Sequence, residues 1–261
     1  MATKVTLTTD NDHFCSSLDD GILVIRQKQH ILHLTHNIND IYFFYNYMNS
    51  LLSSKLYKAL VMFSCSEQSG YVEHTRFLSK ILSGDRDSKE LERYINVVNR
   101  MILNLSTIDR MTVFVGQGTI SLFYLNVGLA HDYRFIAEDT VFENLNADIG
   151  LITKGSGYFL PRLLGVRKAT EVLQWKSFSA EDALQLGLVD RIVPASKLEE
   201  ETLQFVRQNL VRSSSTLLGI RKLLKCDTRE LQRSLELEDH LIKDRLNSAE
   251  FRKTFFDLRE K

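Results

Sequence analysis

Apolar residues follow a mixed pattern in the first part of the chain. Strand-like runs cover residues 22–27, 31–35 and 59–63, and an apolar, aromatic stretch covers residues 41–53. The run ALVMF at residues 59–63 has the uniform apolar character of a parallel strand that is buried on both faces. The first third is therefore predicted to consist of strands interrupted by one helix.

Helical and strand-like segments alternate in the middle of the chain. Apolar residues spaced three or four apart predict a helix over residues 88–105, and a strand is predicted over residues 112–115. A second unit predicts a helix over residues 122–130 and a strand over residues 133–137. This alternation is typical of an α/β architecture with parallel strands.

From residue 158 onward the spacing is helical almost throughout. Helices are predicted over residues 158–164, 168–175, 179–186, 198–211, 216–224, 228–247 and 248–258. Ser179 and Asp182 form a capping-box pattern, and Gly187 is placed to end that helix in the left-handed conformation.

Composition excludes several classes of protein. The 261 residues suffice for one large domain, with or without a short appended segment. Lys plus Arg and Asp plus Glu both number 33, so no net charge favours nucleic acid or an acidic membrane. Three widely spaced cysteines, with no apolar leader or spanning segment, indicate a cytoplasmic protein.

The most specific stretch is residues 161–198, PRLLGVRKATEVLQWKSFSAEDALQLGLVDRIVPASKL. Its glycine turn, its serine-alanine-acid-acid-alanine run and its glycine-leucine-valine element at residues 187–189 resemble the enoyl-CoA hydratase/isomerase, or crotonase, family. The resemblance spans roughly residues 22–258 and is strongest after Asp132.

The resemblance implies an α/β, crotonase-like spiral of ββα turns, with the core over residues 1–195 and a helical carboxy-terminal region over residues 196–261. It also implies homotrimers, or hexamers made of two trimers. The expected partner is the thioester of an acyl-CoA or an acyl-carrier protein, so coenzyme A would enter only as part of the substrate. No separate cofactor is expected.

Members of this family hold the thioester carbonyl with two backbone N–H groups, because an enolate places negative charge on that oxygen. One such donor is typically worth about two to three orders of magnitude in rate. The pair Ser69 and Gly70 places the first donor on Tyr71, although residues 63–65 offer a competing alignment. Counting through the next helix places the second donor on Phe123.

The family has three glycines at the second donor, and they fall on residues 122–124, which are Leu, Phe and Tyr here. Only proline lacks a backbone N–H, so Phe123 can still donate. Bulky side chains nevertheless occupy space that glycines leave open to the thioester.

The two glutamates of the family's hydratases fall on Asn126 and Asn146, which are expected to line the acyl pocket together with Glu143. An amide has no accessible pKa for acid–base work, so ordinary hydration should be lost or severely reduced. Dienoyl-CoA isomerases of the family place an aspartate at Asp148, which makes Asp148 the candidate catalytic acid or base. The alternative is an exposed turn aspartate beside Gly150.

Two further groups of residues carry weaker predictions. His30, His33 and His36 lie in a segment predicted to be extended, where residues three apart face opposite sides, so no metal site is expected. In the last helix, Arg252, Lys253 and Lys261 suit a phosphate, but docking of the helix through its phenylalanines is the simpler interpretation.

These residues favour a divergent crotonase-family protein that binds an acyl thioester and performs isomerisation or another enolate-based reaction. The alternative is a catalytically inactive member that keeps the fold as an assembly or regulatory subunit.

Overall fold

A computed structural model describes residues 6–65, 70–83, 89–212, 219, 223 and 228–259. Within these ranges, seven strands form a sheet in the order β1-β2-β3-β4-β5-β7-β10, and three form a small sheet in the order β6-β8-β9. The strands are β1 (Thr9–Asp10), β2 (Phe14–Asp19), β3 (Ile22–Gln27), β4 (Ala59–Phe63), β5 (Met111–Gly116), β6 (Thr119–Ser121), β7 (Tyr133–Ala137), β8 (Val141–Glu143), β9 (Ser177–Ser179) and β10 (Arg191–Val193). From β3 to β10 the larger sheet is parallel, and β1 and β2 extend it in antiparallel fashion.

Helices connect the strands and make up most of the carboxy-terminal region. They are α1 (Ile38–Ser53), α2 (Gly70–Ser83), α3 (Lys89–Thr107), α4 (Leu122–Leu129), α5 (Ser156–Val172), α6 (Ala180–Gln185), α7 (Leu198–Arg212), α8 (Thr228–Asn247) and α9 (Ala249–Arg259), with 3-10 turns at Ile31–His36 and Ala195–Lys197. The predicted alternation and the helical back are confirmed. The helix predicted over residues 216–224 lies largely outside the described residues.

The parallel strands are buried on both faces because successive side chains point to opposite sides. On β4, Leu60 and Met62 join the main core under α1 and α3, whereas Ala59 and Val61 face a second core that α7 covers with Leu198 and Val206. This double burial accounts for the unbroken apolar run that predicted the strand.

The strand predicted over residues 31–35 is wrong, because the segment forms the 3-10 helix Ile31–His36. Side chains satisfy the backbone donors at its start: Tyr124 Oη accepts from Ile31 N at 2.9 Å and His30 Nδ1 accepts from Leu32 N at 3.2 Å. Tertiary contacts thus override the strand propensity of this β-branched segment.

No histidine metal site is expected from the sequence, because residues three apart face opposite sides of an extended segment. That reason does not hold, because residues three apart align in a 3-10 helix. No group of three His, Cys, Asp or Glu side chains suited to a metal occurs among the described residues.

The local signals in the carboxy-terminal half act as predicted. Ser179 and Asp182 form both bonds of a capping box at the start of α6. Gly187 follows that helix with a φ of 69°. In α9, Phe251 and Phe255 are buried against α2 and α8, which confirms docking of this helix; Lys261 lies outside the described residues.

No helix of the described ranges is long and apolar enough to cross a membrane. The division at residue 195 stays a prediction.

The kink in α5 depends on Gly165, which has φ 73° and ψ 158°. Side chains are strongly disfavoured in this region of backbone space, so Gly165→Ala is expected to lower the free energy of unfolding by roughly 1–3 kcal/mol. Urea unfolding measures the effect. Gly219→Ala is the matched control, because Gly219 is helical, exposed and uncrowded; equal effects of the two substitutions would contradict the strain at the kink.

Candidate active site

A cleft lies between α2, the start of α4, the loop before α5, and α8. It encloses about 600 Å³ of space between protein atoms, counting its open mouth. Most of its walls are apolar, and the polar side chains among the described residues that line it are His30, His74, Tyr94, Ser121, Asn146, Thr153 and Lys154. The chemical character of these walls suits an apolar group with one polar end.

The two predicted carbonyl donors both lie in the first turns of helices at this cleft. Tyr71 is the second residue of α2, and His74, one turn later, lines the cleft. Phe123 is the second residue of α4, and it lines the cleft itself. The first N–H groups of a helix have no partner within the helix, so both positions present backbone donors.

The start of α4 has no side-chain cap. Ser121 is the N-cap residue, but its hydroxyl makes no capping hydrogen bond and is buried without a partner. Because this serine also lines the cleft, the amino terminus of α4 is open to a ligand acceptor.

The bulky residues in place of the three glycines have different orientations. Leu122 and Phe123 line the cleft, whereas Tyr124 does not: its hydroxyl accepts the hydrogen bond from Ile31 N, and its ring stands edge-on to His30 at 5.0 Å. Tyr124 therefore supports the wall, and Phe123 narrows the cleft.

Asn126 is fully buried behind the cleft. Its Nδ2 donates to Lys154 O and to Ser156 Oγ, both at 2.9 Å, and its Oδ1 has no hydrogen-bond partner. A carboxylate here could not donate to the Lys154 carbonyl and would be repelled by it. The amide at this position therefore holds the loop before α5.

Asn146 lines the cleft and belongs to a chain of polar side chains. Its Oδ1 lies 2.7 Å from His74 Nε2, and its Nδ2 donates to Thr153 Oγ1 at 3.0 Å. Thr153 Oγ1 in turn donates to Asn144 Oδ1 at 3.5 Å, and Asn144 Nδ2 donates to Leu173 O at 2.9 Å. This chain fixes Asn146 with its oxygen toward His74.

Both cleft histidines are neutral at pH 7. Burial, together with repulsion from His74 and His33, lowers the pKa of His30 to about 3. Burial also lowers the pKa of His74, and the hydrogen bond to Asn146 opposes this shift. A neutral imidazole at the cleft can therefore accept a proton directly, because it does not have to be deprotonated first.

A buried charged junction closes the end of the cleft. Lys154 Nζ contacts Asp239 Oδ1 at 2.6 Å, Leu235 O at 2.8 Å and Glu238 Oε2 at 3.5 Å. Burial raises the pKa of Glu238, and Lys154 opposes the shift. The junction fixes α8 against the loop that begins α5.

Glu238 also caps α5 from a distance in the sequence. Its two carboxylate oxygens accept from Gly155 N and Gly157 N, each at 2.8 Å. These N–H groups lie at the start of α5, where a negative charge is favourable.

Two of the predicted site residues lie away from the cleft. Asp148 is exposed and forms an ion pair with Lys176, with 2.7 Å between Oδ1 and Nζ. Glu143 ends β8, where it pairs with Ser177 of β9, and it is not among the residues that line the cleft. The structure thus brings Phe123 and Asn146 together with His74, but neither Asp148 nor Glu143.

A basic recess adjoins the cleft and shares Leu91 and Leu246 with it. Lys89, Arg93, Lys243 and Arg252 are the cationic residues that line it, and Lys243 pairs with Glu92 at 2.6 Å. Such a surface suits phosphate groups.

Two residues of the site, Glu238 and His74, were not predicted, although the helical spacing around each of them indicates a buried position. Glu238 falls on the apolar stripe of Leu231, Leu235 and Ile242, where an isolated charge indicates a buried partner. His74 begins a helical spacing that continues through Phe77, Leu78, Ile81 and Leu82, and this spacing would have predicted both α2 and a histidine on its buried side.

Glu238→Gln is expected to lower the free energy of unfolding by about 1.5–3 kcal/mol, because the amide nitrogen would face a glycine N–H that has lost its acceptor. Urea unfolding measures the loss. Glu236→Gln makes the same change at an exposed position of α8 and should stay within about 0.5 kcal/mol of the wild type. Equal losses would contradict the capping role of Glu238.

Known proteins resemble the chain in both sequence and structure. A trans-2-decenoyl-[acyl-carrier-protein] isomerase of Streptococcus mutans is 27% identical over 118 residues, which are 44% of this chain. The match spans less than half of that relative, 45% of its length.

Solved structures share the fold at low sequence identity. An enoyl-CoA hydratase from Bacillus halodurans superposes with a TM-score of 0.80 and 19% identity, over 94% of this chain and 99% of its own. HypX from Aquifex aeolicus, solved with tetrahydrofolic acid, superposes with a TM-score of 0.76 and 18% identity, over 97% of this chain and 46% of its own. The crotonase-like α/β fold with a helical carboxy-terminal region is thereby confirmed.

The enoyl-CoA hydratase/isomerase family model matches residues 97–261, which include α4, the loop before α5, and α8 of the cleft. The chain therefore belongs to the enoyl-CoA hydratase/isomerase family, as a divergent member.

Proposed function

We propose that the protein binds the thioester of an acyl-CoA or an acyl-carrier protein and moves a double bond along the acyl chain through an enolate. The observation that carries this proposal is the uncapped amino terminus of α4, which opens into an apolar cleft beside the first turn of α2. Backbone donors at Tyr71 and Phe123 would hold the thioester oxygen.

The polar groups of the cleft favour isomerisation over hydration. Hydration needs a water molecule activated by a carboxylate, and amides stand at both positions where the family's hydratases have glutamates. Isomerisation needs only one group that takes a proton and returns it. The isomerase among the relatives, which acts on a decenoyl chain by its name, supports the same reaction class.

The basic recess supports a substrate with phosphate groups. Coenzyme A and the phosphopantetheine arm of a carrier protein both carry phosphate at the end of the pantetheine that lies opposite the acyl thioester. The recess is contiguous with the cleft through Leu91 and Leu246, so one ligand could occupy both. We also propose trimers or hexamers and a cytoplasmic location, on the family resemblance and the cysteine usage.

A second function is favoured by the narrowness of the cleft. Phe123 occupies a position where the family has glycine, and its side chain lines the cleft and narrows it. A catalytically inactive assembly or regulatory subunit would tolerate such filling.

A thioester panel distinguishes the two functions. We expect trans-2- and cis-3-decenoyl-CoA to raise the thermal transition temperature, and the two isomers to interconvert, because the cleft suits an apolar chain with one carbonyl. Free coenzyme A serves as the control for phosphate binding alone. Absence of binding by every thioester would reject the enzyme and favour the inactive subunit.

The sequence offers two roles for Asp148, a catalytic acid or base and an exposed turn aspartate, and its substitution distinguishes them. Because Asp148 is exposed and paired with Lys176, we expect Asp148→Asn to keep isomerisation within about threefold of the wild type. Loss of turnover with thioester binding intact would instead assign proton transfer to Asp148. The readout is the initial rate of isomerisation of cis-3-decenoyl-CoA.

A further inference from the structure

His74 is a basic group at the cleft, and the resemblance to the family assigns no role to it. Its ring lines the cleft together with Phe123, and its Nε2 lies 2.7 Å from Asn146 Oδ1. The residues that the resemblance assigned to proton transfer lie elsewhere or are amides. This imidazole is therefore the candidate proton-transferring group.

The polar chain behind Asn146 determines which ring nitrogen is free. Asn146 Nδ2 donates to Thr153 Oγ1, so its Oδ1 faces His74 as an acceptor. The proton of neutral His74 must then be on Nε2, which leaves the lone pair on Nδ1. An acceptor nitrogen fixed in this way is what a general base requires.

The position of His74 on α2 directs its ring toward the thioester. Side chains of a helix tilt toward its amino terminus and cover the preceding turn. His74 lies three residues after Tyr71, so its ring leans toward the turn whose backbone N–H is the proposed carbonyl donor. A carbonyl held there would have its neighbouring carbons close to the imidazole.

Among the described side chains that line the cleft, the other ionisable groups leave His74 as its base. His30 is neutral and its Nδ1 already accepts from Leu32 N. Lys154 is engaged by Asp239 and Leu235, with Glu238 at its other side. Burial raises the pKa of Tyr94, which lines the same wall, so it stays protonated.

We propose that His74, oriented by Asn146, is the catalytic residue that carries the proton in the double-bond isomerisation. This inference rests on the proposed function and assigns the residue that performs it. Asn146 is then a positioning residue that acts through the imidazole.

The reaction balances with one proton and no other reactant. Nδ1 takes a proton from C2 of a 3-enoyl thioester, and the C–H electrons pass into a dienolate whose negative charge rests on the thioester oxygen. The imidazolium then returns this proton, or one it has exchanged with solvent, to C4. The C3–C4 double bond becomes C2–C3, and the carbonyl and neutral His74 are restored.

His74→Gln tests the assignment, because the glutamine amide can still donate to Asn146 but has no basic nitrogen. Binding of cis-3-decenoyl-CoA by thermal shift should persist, while isomerisation and deuterium uptake from D₂O into the substrate should fall at least about 100-fold. His240→Gln makes the same change at an exposed position of α8 and should leave both rates unchanged.

The substitution Asn146→Asp tests the role of His74 through the pH profile of kcat/KM, which would not shift if His74 were only structural. A carboxylate against Nε2 raises the pKa of His74, so the acid limb of the pH profile of kcat/KM should move upward by about 1–2 pH units. A wild-type protein that binds the thioester, with His74→Gln equally active or with no isomerisation at all, would overturn the His74 assignment but not thioester binding. A wild-type protein that binds no thioester would overturn both.

Discussion

The geometry of the cleft depends on the buried carboxylate of Glu238. It accepts two backbone N–H groups at the start of α5 and lies beside Lys154, whose charge Asp239 neutralises. Removing any one of these partners would leave a buried charge or donor unsatisfied, which is costly in a low-dielectric interior. The loop from Thr153 to Gly157 therefore has one position relative to α8, and that loop forms one wall of the cleft.

The two asparagines that depart from the family pattern acquire separate roles from this fixed loop. Asn126 donates to the carbonyl of Lys154 and to Ser156, so it belongs to the scaffold. Asn146 contacts Thr153 on one side and His74 on the other, so the fixed loop holds Asn146, and Asn146 in turn orients the His74 imidazole. The loss of two carboxylates is thus accompanied by a different basic group in the same cleft.

Much of the fold could be predicted because its signals are local. The apolar run of β4, the capping box at Ser179 and the period of α8 each follow from a few neighbouring residues. The 3-10 helix Ile31–His36 could not be predicted this way, since its first donor is satisfied by Tyr124, which lies 93 residues away. The site was predictable to the same extent: the family's spacing assigns Tyr71 and Phe123 as the candidate backbone donors, whereas the contact of His74 with Asn146 joins residues 72 positions apart.

The most direct test of the account is a crystal structure of the protein with decanoyl-CoA, a saturated thioester that cannot isomerise. We expect the thioester oxygen to lie about 3 Å from the backbone nitrogens of Tyr71 and Phe123, with His74 Nδ1 facing the carbons next to the carbonyl. A thioester bound outside the cleft, or a carbonyl turned away from the first turns of α2 and α4, would contradict it.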